Sequence, residues 1–321
     1  MMVAAPTRRR STWHAVPRRA EERPRLWRGG HAVAVGLLSL LTLLGACGNG
    51  GDASRTPDDA AAAPPPAASA PPAPPVATIP RWRPAGSDTW QLQLSGTIRT
   101  TYPAAVYDID LFDTPAATLA QLRAEGKRVV CYFSAGSAED WRADHAGFAA
   151  ADIGKPLDGW PGERWLDTRS ANVRRVMQAR LDLAARRGCD AVDPDNVDGH
   201  THDTGFALTA ADQRDYGRFL ADQAHARGLA IGLKNATELI DALEPHFDFA
   251  VNEQCFEYRE CAAYGAFVSN GKPVFNVEYE ARLRDNTAGA RDSLCAAARA
   301  AGIRSLVLPL ALDDSFRHSC D

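Results

Sequence analysis

Eight short apolar or β-rich runs recur after the first quarter of the chain, at about 90–94, 105–111, 128–133, 189–195, 229–234, 249–253, 273–278 and 305–310. Helix-patterned segments separate most of them. The segment 114–125 opens on Thr114-Pro115, a cap followed by Pro at the first helical position. The segment 170–187 carries Val173, Val176, Met177, Leu181 and Ala184 at helical spacing, and 209–227 and 288–301 read alike. Strands alternating with helices build a parallel sheet, and eight of them suggest closure into a barrel. The expected fold is α/β, a (β/α)8 TIM barrel forming one catalytic domain over residues 81–321, with a doubly wound open sheet as the alternative. The first two runs have no clear helix between them, so that end is the least constrained. No Gly-rich phosphate loop follows any run, which argues against a nucleotide enzyme.

The N-terminal part does not share this pattern. Residues 8–28 are Arg-rich, and 31–46 (HAVAVGLLSLLTLLGA) carry no Asp, Glu, Lys or Arg. A basic region followed by a short apolar one reads as an export signal over 1–46, too short and wrongly flanked for a membrane span. It ends at Leu44-Gly45-Ala46-Cys47, which resembles a bacterial lipobox. Cys47 is therefore the expected lipidation site, and the membrane is an expected partner through that lipid anchor. Residues 47–80, including APPPAASAPPAPP, have too little apolar content to fold and read as a disordered tether. The expected location is exported, as a cell-envelope lipoprotein or a secreted protein.

Charge and cysteines narrow the class further. Residues 1–46 hold eight Arg and two Glu, so removing them from the chain's 36 basic and 40 acidic residues leaves 28 against 38, a formal charge of −10. An acidic exported domain is a poor nucleic-acid binder and a reasonable one for a cationic substrate. Six cysteines follow Cys47, an even number that suggests disulfides. Cys255 and Cys261 are close enough to pin one loop. Cys295 can hold the tail through Cys320, and Cys131 and Cys189 remain as a pair or as buried thiols. No cysteine spacing fits a zinc site.

The ends of the runs carry the chemistry. The stretch GCDAVDPDNVDG at 188–199 begins apolar and ends in carboxylates, with Pro194 barring a helix. Elsewhere the runs end near Asp108 and Asp110, at Tyr132 and Ser134, at Lys234 and Asn235, at Asn252 and Glu253, and at Asn276, Glu278 and Tyr279. A polar group after nearly every strand is what the mouth of a parallel barrel needs for catalysis. Carboxylates serve as acid, base or nucleophile, so a hydrolase is the first expectation.

The strings YDIDLFDT, VVCYFSAGSAEDWR, GWPGERWLD, GCDAVDPDNVDG, LAIGLKNATEL, DFAVNEQCFEYREC and KPVFNVEYE together resemble glycoside hydrolase family 114, the endo-α-1,4-polygalactosaminidase family. The resemblance implies a (β/α)8 barrel that hydrolyses α-1,4-linked galactosamine polymers with two catalytic carboxylates. These map onto Asp195 of the Pro-Asp-Asn step and Glu253 of Asn-Glu-Gln-Cys. His200-Thr201-His202 departs from the family pattern.

Glycoside hydrolysis needs one carboxyl group to protonate the leaving oxygen and a second to attack or stabilise the anomeric carbon. Asp195 is assigned as nucleophile and Glu253 as acid/base, in a retaining reaction on a cationic polysaccharide. Glu278 is the rival to Glu253. Asp108, Asp110, Tyr132, Asp193, Asn196, Lys234, Asn235, Glu278 and Tyr279 are the expected substrate-binding residues. Asp193 is a supporting acceptor, and Asp108 with Asp110 has a buried network with Lys234 as its alternative. Trp141, Trp160 and Trp165 either stack on sugar or pack the insert that holds them. The alternatives are a non-catalytic sugar-binding lipoprotein and a metal-dependent polysaccharide deacetylase using the His pair. Since no third ligand is fixed, no metal and no cofactor is expected.

Overall fold

The computed structural model describes residues 80–321. The expected export signal at 1–46, Cys47 and the tether up to residue 79 lie outside the described residues. In chain order the strands are β1 (Trp90–Gln93), β2 (Val106–Asp110), β3 (Arg128–Ser134), β4 (Ser137–Glu139), β5 (Ile153–Pro156), β6 (Glu163–Leu166), β7 (Ala191–Asp195), β8 (Ala230–Lys234), β9 (Phe249–Glu253), β10 (Val274–Glu278), β11 (Arg304–Val307) and β12 (His318–Ser319). Eight of them, β1, β2, β3 and β7 to β11, pair in parallel and in sequence order. With the helices Ala116–Ala124, Ala171–Arg187, Ala210–His225 and Ala290–Ala301 between them, this is a (β/α)8 barrel.

Alternation along each strand sorts side chains into two layers. Tyr107, Ile109, Cys131, Phe133, Val192 and Ile231 point outward and pack with Leu122, Met177, Leu181 and Leu220 of the helices. Trp90, Val106, Val130, Ala191, Phe249 and Phe275 point inward and fill the lower barrel. The seam between the first and last parallel strands is closed without a ladder. The Trp90 indole donates to the Arg304 carbonyl at 2.9 Å, and the Leu94 and Ser95 N–H groups donate to the Leu312 carbonyl at 3.0 and 3.1 Å. β12 runs antiparallel on β11, and Arg317 beside it donates to the Trp90 carbonyl at 3.2 Å. The sequence gives no sign of β12, and the eighth run is shorter than expected, ending at Val307.

Local signals explain most helix ends. Ser170 accepts from the N–H groups of Asn172 and Val173, and Gly188 closes that helix at φ 79°. Thr209 and Asp212 form a capping box. Thr114 does not cap the first helix, which starts after Pro115 with no side-chain cap. Its carbonyl is instead taken by Arg187. Between β3 and the helix Ala171–Arg187 an insert folds into a small antiparallel sheet, β4-β6-β5. Trp165 is buried in this insert and stacks on His202 with ring centroids 4.9 Å apart, whereas Trp141 is 52% exposed.

Three disulfides tie the barrel: Cys131–Cys189 between β3 and the approach to β7, Cys255–Cys261 in the loop after β9, and Cys295–Cys320 holding the tail. The first resolves the open choice between bridge and buried thiols. Such bridges fit an oxidising compartment. Among the described residues no helix is long and apolar enough to cross a membrane.

Gly136 shows how closely the strand ends meet at the mouth. Its N–H donates to the Asp195 carbonyl at 3.0 Å, and a Cβ there would overlap the Asn196 carbonyl oxygen. Gly136→Ala is predicted to force the ends of β3 and β7 apart at a cost of about 1–3 kcal/mol. Thermal unfolding should show a fall in Tm of several degrees.

Candidate active site

Three adjacent strands each deliver one charged side chain into the barrel mouth: Asp195 from β7, Lys234 from β8 and Glu253 from β9. The residue after each has a left-handed backbone: Asn196 at φ 60°, Asn235 at φ 47° and Gln254 at φ 65°. Asn tolerates this region better than most residues, while Gln254 holds it at a cost that its surroundings must offset. The turns direct donors back onto the carboxylates. The Asn196 N–H donates to Asp195 Oδ1 at 2.8 Å. Asn235 accepts the Glu253 N–H at 2.9 Å and donates to Glu253 Oε2 at 3.2 Å.

Each carboxylate also holds one tyrosine. The Tyr132 hydroxyl donates to Asp195 Oδ2 at 2.8 Å, and the Tyr279 hydroxyl to Glu253 Oε1 at 2.6 Å. Burial, reinforced by the neighbouring carboxylates, pushes both phenols well above their usual range, so both remain donors. Lys234 Nζ lies 3.2 Å from Asp195 Oδ1 and 3.7 Å from Glu253 Oε2. Those two oxygens therefore lie no farther apart than the two distances added, about 7 Å. Burial opposes the charge on Lys234. Asp195, Glu253, Asp193 and Asp108 outweigh it and hold the ammonium well above the ordinary lysine value.

Register places the remaining acids. Tyr132 opposes Asp193 across β3 and β7, and Lys234 opposes Val251 across β8 and β9. Asp193 is fully buried two residues before Asp195 on the same face of β7, with its Oδ2 3.9 Å from Lys234 Nζ. Asp108 on β2 is equally sealed. Asp110 is gripped by Arg142 at 2.6 Å and accepts the N–H groups of Phe112 and Asp113. Arg142 itself is buried and also holds Glu139 at 3.0 Å. Asn196 is braced from below: its amide donates to Ser134 Oγ at 2.9 Å, and Ser134 shares a hydrogen bond with Ser137.

A carbohydrate-cleaving site is what two braced carboxylates flanking one cation at a barrel mouth can be. Comparison with known proteins agrees. The family model for glycoside-hydrolase family GH114 matches residues 71–321. The chain belongs to family GH114. The crystal structure of Aspergillus fumigatus Ega3 in complex with galactosamine is 43% identical, superposes with a TM-score of 0.71, and pairs 76% of this chain with 99% of Ega3. The glycoside hydrolase domain of PelA from Pseudomonas aeruginosa shares the fold at 16% identity and a TM-score of 0.57, over 71% of this chain and 96% of that domain. No curated protein sequence matches. The protein is a glycoside hydrolase.

Several expected sugar contacts are corrected by this GH114 barrel. Asp108 and Asp193 are sealed beneath the mouth, and Asp110 is consumed by Arg142, whereas Lys234 stays between Asp195 and Glu253 and spends its ammonium on them. Glu278 faces away from the mouth altogether. It shares strand parity with Asn276, on the opposite side from Val277 and Tyr279, and it is fully buried under the short helix Cys255–Tyr258. Its Oε1 accepts the Phe256 N–H at 2.9 Å and the Asn276 amide at 3.2 Å. It is therefore neither a sugar contact nor a rival to Glu253. Glu257, Glu278 and Glu280 bring oxygens within 4.8 Å of one another there, but Arg282 already clamps Glu280 through two nitrogens. Tyr132, Asn196, Asn235 and Tyr279 line the mouth; the two tyrosines, the Asn235 amide and the Asn196 backbone N–H donate to Asp195 and Glu253, while the Asn196 amide goes to Ser134. Of the His pair, His202 stacks on Trp165 and lies 3.3 Å from Asp198. The supporting roles of Arg142, Ser134 and Ser137 are not legible in the sequence, because they exist only through contacts between distant strands.

Burial pushes the Glu278 carboxyl up to about 7, against the opposing Phe256 N–H and Asn276 amide. A carboxyl raised in the fold adds stability below its unfolded pKa, and this is lost as pH rises through about 7. Glu278→Gln is predicted to remove that loss. The variant should match wild type near pH 4 and exceed it above pH 7, by up to roughly 3 kcal/mol in denaturant unfolding.

Proposed function

We propose that the protein cleaves α-1,4-linked galactosamine polymers with retention of configuration, using Asp195 as nucleophile and Glu253 as acid/base. The observation that carries this reading is the pair of carboxylates sharing the Lys234 ammonium at 3.2 and 3.7 Å. Retaining glycosidases place their carboxyl groups about 5–5.5 Å apart, and inverting ones about 6.5–9.5 Å apart to admit a water. The ceiling of about 7 Å favours the first class. Asp195 lies nearer the ammonium and has three donors aimed at it, from Asn196, Tyr132 and Lys234, as a resident nucleophile needs.

In this mechanism Asp195 attacks the anomeric carbon while Glu253 gives its proton to the departing glycosidic oxygen. The resulting glycosyl ester is attacked by water, whose proton returns to Glu253 as the sugar–Asp195 bond breaks. Tyr132 and Tyr279 steer the two carboxylates throughout. The galactosamine in the related Ega3 structure and the acidic balance of residues 47–321 both support an amino-sugar polymer as substrate. The N-terminal signal, Cys47 and the three disulfides support an exported, lipid-anchored enzyme.

Asp195→Asn and Glu253→Gln are each predicted to lower reducing-end release from de-N-acetylated polygalactosamine by roughly a thousandfold or more. Circular dichroism should remain that of wild type. Near-wild-type turnover by either folded variant would reject its assigned role.

A further inference from the structure

We propose that Asp108 and Asp193 share a single proton beneath the mouth, and that the one negative charge left on the pair limits how much of the Lys234 charge reaches Asp195 and Glu253. This rests on the catalytic reading above only for its consequence, not for the shared proton itself.

Geometry comes first. Asp108 opposes Val130 across β2 and β3, and Val130 opposes Ala191 across β3 and β7. The shear of an eight-stranded barrel advances each alternate strand by about two residues within a layer. That brings Asp193 level with Asp108, in a layer completed by Val251 and Leu306. The next layer up holds Tyr132 and Lys234, and the one above holds Asp195 and Glu253. Asp108 is 1% exposed and Asp193 0%. All four of their oxygens lack a hydrogen-bond donor from any other group. By contrast the buried Asp248 is held by Ile231, His225 and Arg81.

Two adjacent carboxylates sealed from solvent without protein donors cannot both stay ionised, since each would lose its hydration and repel the other. A proton between them removes one charge and supplies the missing donor. The groups facing the pair say which member keeps it. Asp108 meets Asp193, then Lys234, whose charge opposes the rise, and more weakly Asp195. Burial and the charge of Asp193 push its carboxyl well above the usual range. Asp193 is pushed by burial up to about 7, with Lys234 and the Asp108 proton opposing and Asp195 and Glu253 adding. Asp108 is thus the proton holder, and Asp193 carries the charge from about pH 7 upward.

The consequence concerns Glu253. With Asp193 ionised 3.9 Å from Lys234, the ammonium already faces Asp193 and Asp195. Less of its charge is then left for a carboxylate at Glu253, 3.7 Å away. Asp193 is a positioning residue for charge, acting through Lys234 without touching sugar.

The experiment compares pH–rate profiles of wild type, Asp108→Asn and Asp193→Asn. Asn at 108 retains a donor toward Asp193 and removes no charge, so its basic limb should stay within about half a pH unit of wild type. Asn at 193 removes the charge, so the basic limb should move to lower pH by about one unit. Equal displacement in both variants, or none in Asp193→Asn, would overturn the proposal. A second readout needs neither substrate nor activity. Difference infrared spectroscopy at pH 9, where Glu278 has ionised, should show a buried un-ionised carboxyl in wild type that disappears in Asp108→Asn. Its absence from wild type would refute the shared proton even if the protein hydrolyses polygalactosamine. Its presence would uphold the shared proton even if it does not.

Discussion

A lysine ammonium held inside a barrel is the constraint on which the rest of this structure depends. Lys234 is only 4% exposed, and an unpaired cation at such a place would cost several kcal/mol. It persists because two strands bring carboxylates to it: Asp193 and Asp195 from β7 and Glu253 from β9. The dependence is mutual. Without the ammonium, the acids gathered around it would repel one another with no cation between them. The barrel therefore fixes Asp195 and Glu253 by electrostatics as well as by strand geometry.

That core makes sense of features farther out. The left-handed turns at Asn196, Asn235 and Gln254 each follow one of the three charged residues, and the first two return donors to the carboxylates. Gly136 lets the end of β3 press against Asn196, and the Ser134–Ser137 pair holds the Asn196 side chain. The Cys255–Cys261 bridge closes the loop that begins directly after Glu253. Strain at the mouth is offset by this ring of supports, a pattern common where function requires unusual backbone.

Much of this was legible in the sequence. The eight runs and the helical spacing between them carried the fold, and the polar strand ends marked the mouth, within which the family resemblance singled out Asp195 and Glu253. The place of Glu278 was also readable. Alternation from Tyr279, an inward residue, puts Glu278 on the other face, and a parity count along β10 would have removed it from the mouth. The fates of Asp108 and Asp110 were not readable in this way. Both point into the barrel, and only the distance from the mouth and the arrival of Arg142 from the insert decide that neither meets solvent. The Cys131–Cys189 bridge was open for a similar reason, since the two cysteines meet through the β3–β7 pairing and not through sequence proximity. β12 escaped notice because two residues carry no periodicity.

The proposed retention makes one stereochemical demand, and proton NMR of the first reducing ends released from α-1,4-polygalactosamine tests it directly. If Asp195 attacks the anomeric carbon with Glu253 close by, the α-anomer appears first and then mutarotates. First appearance of the β-anomer would mean that a water, not Asp195, reaches the anomeric carbon, and would contradict the account.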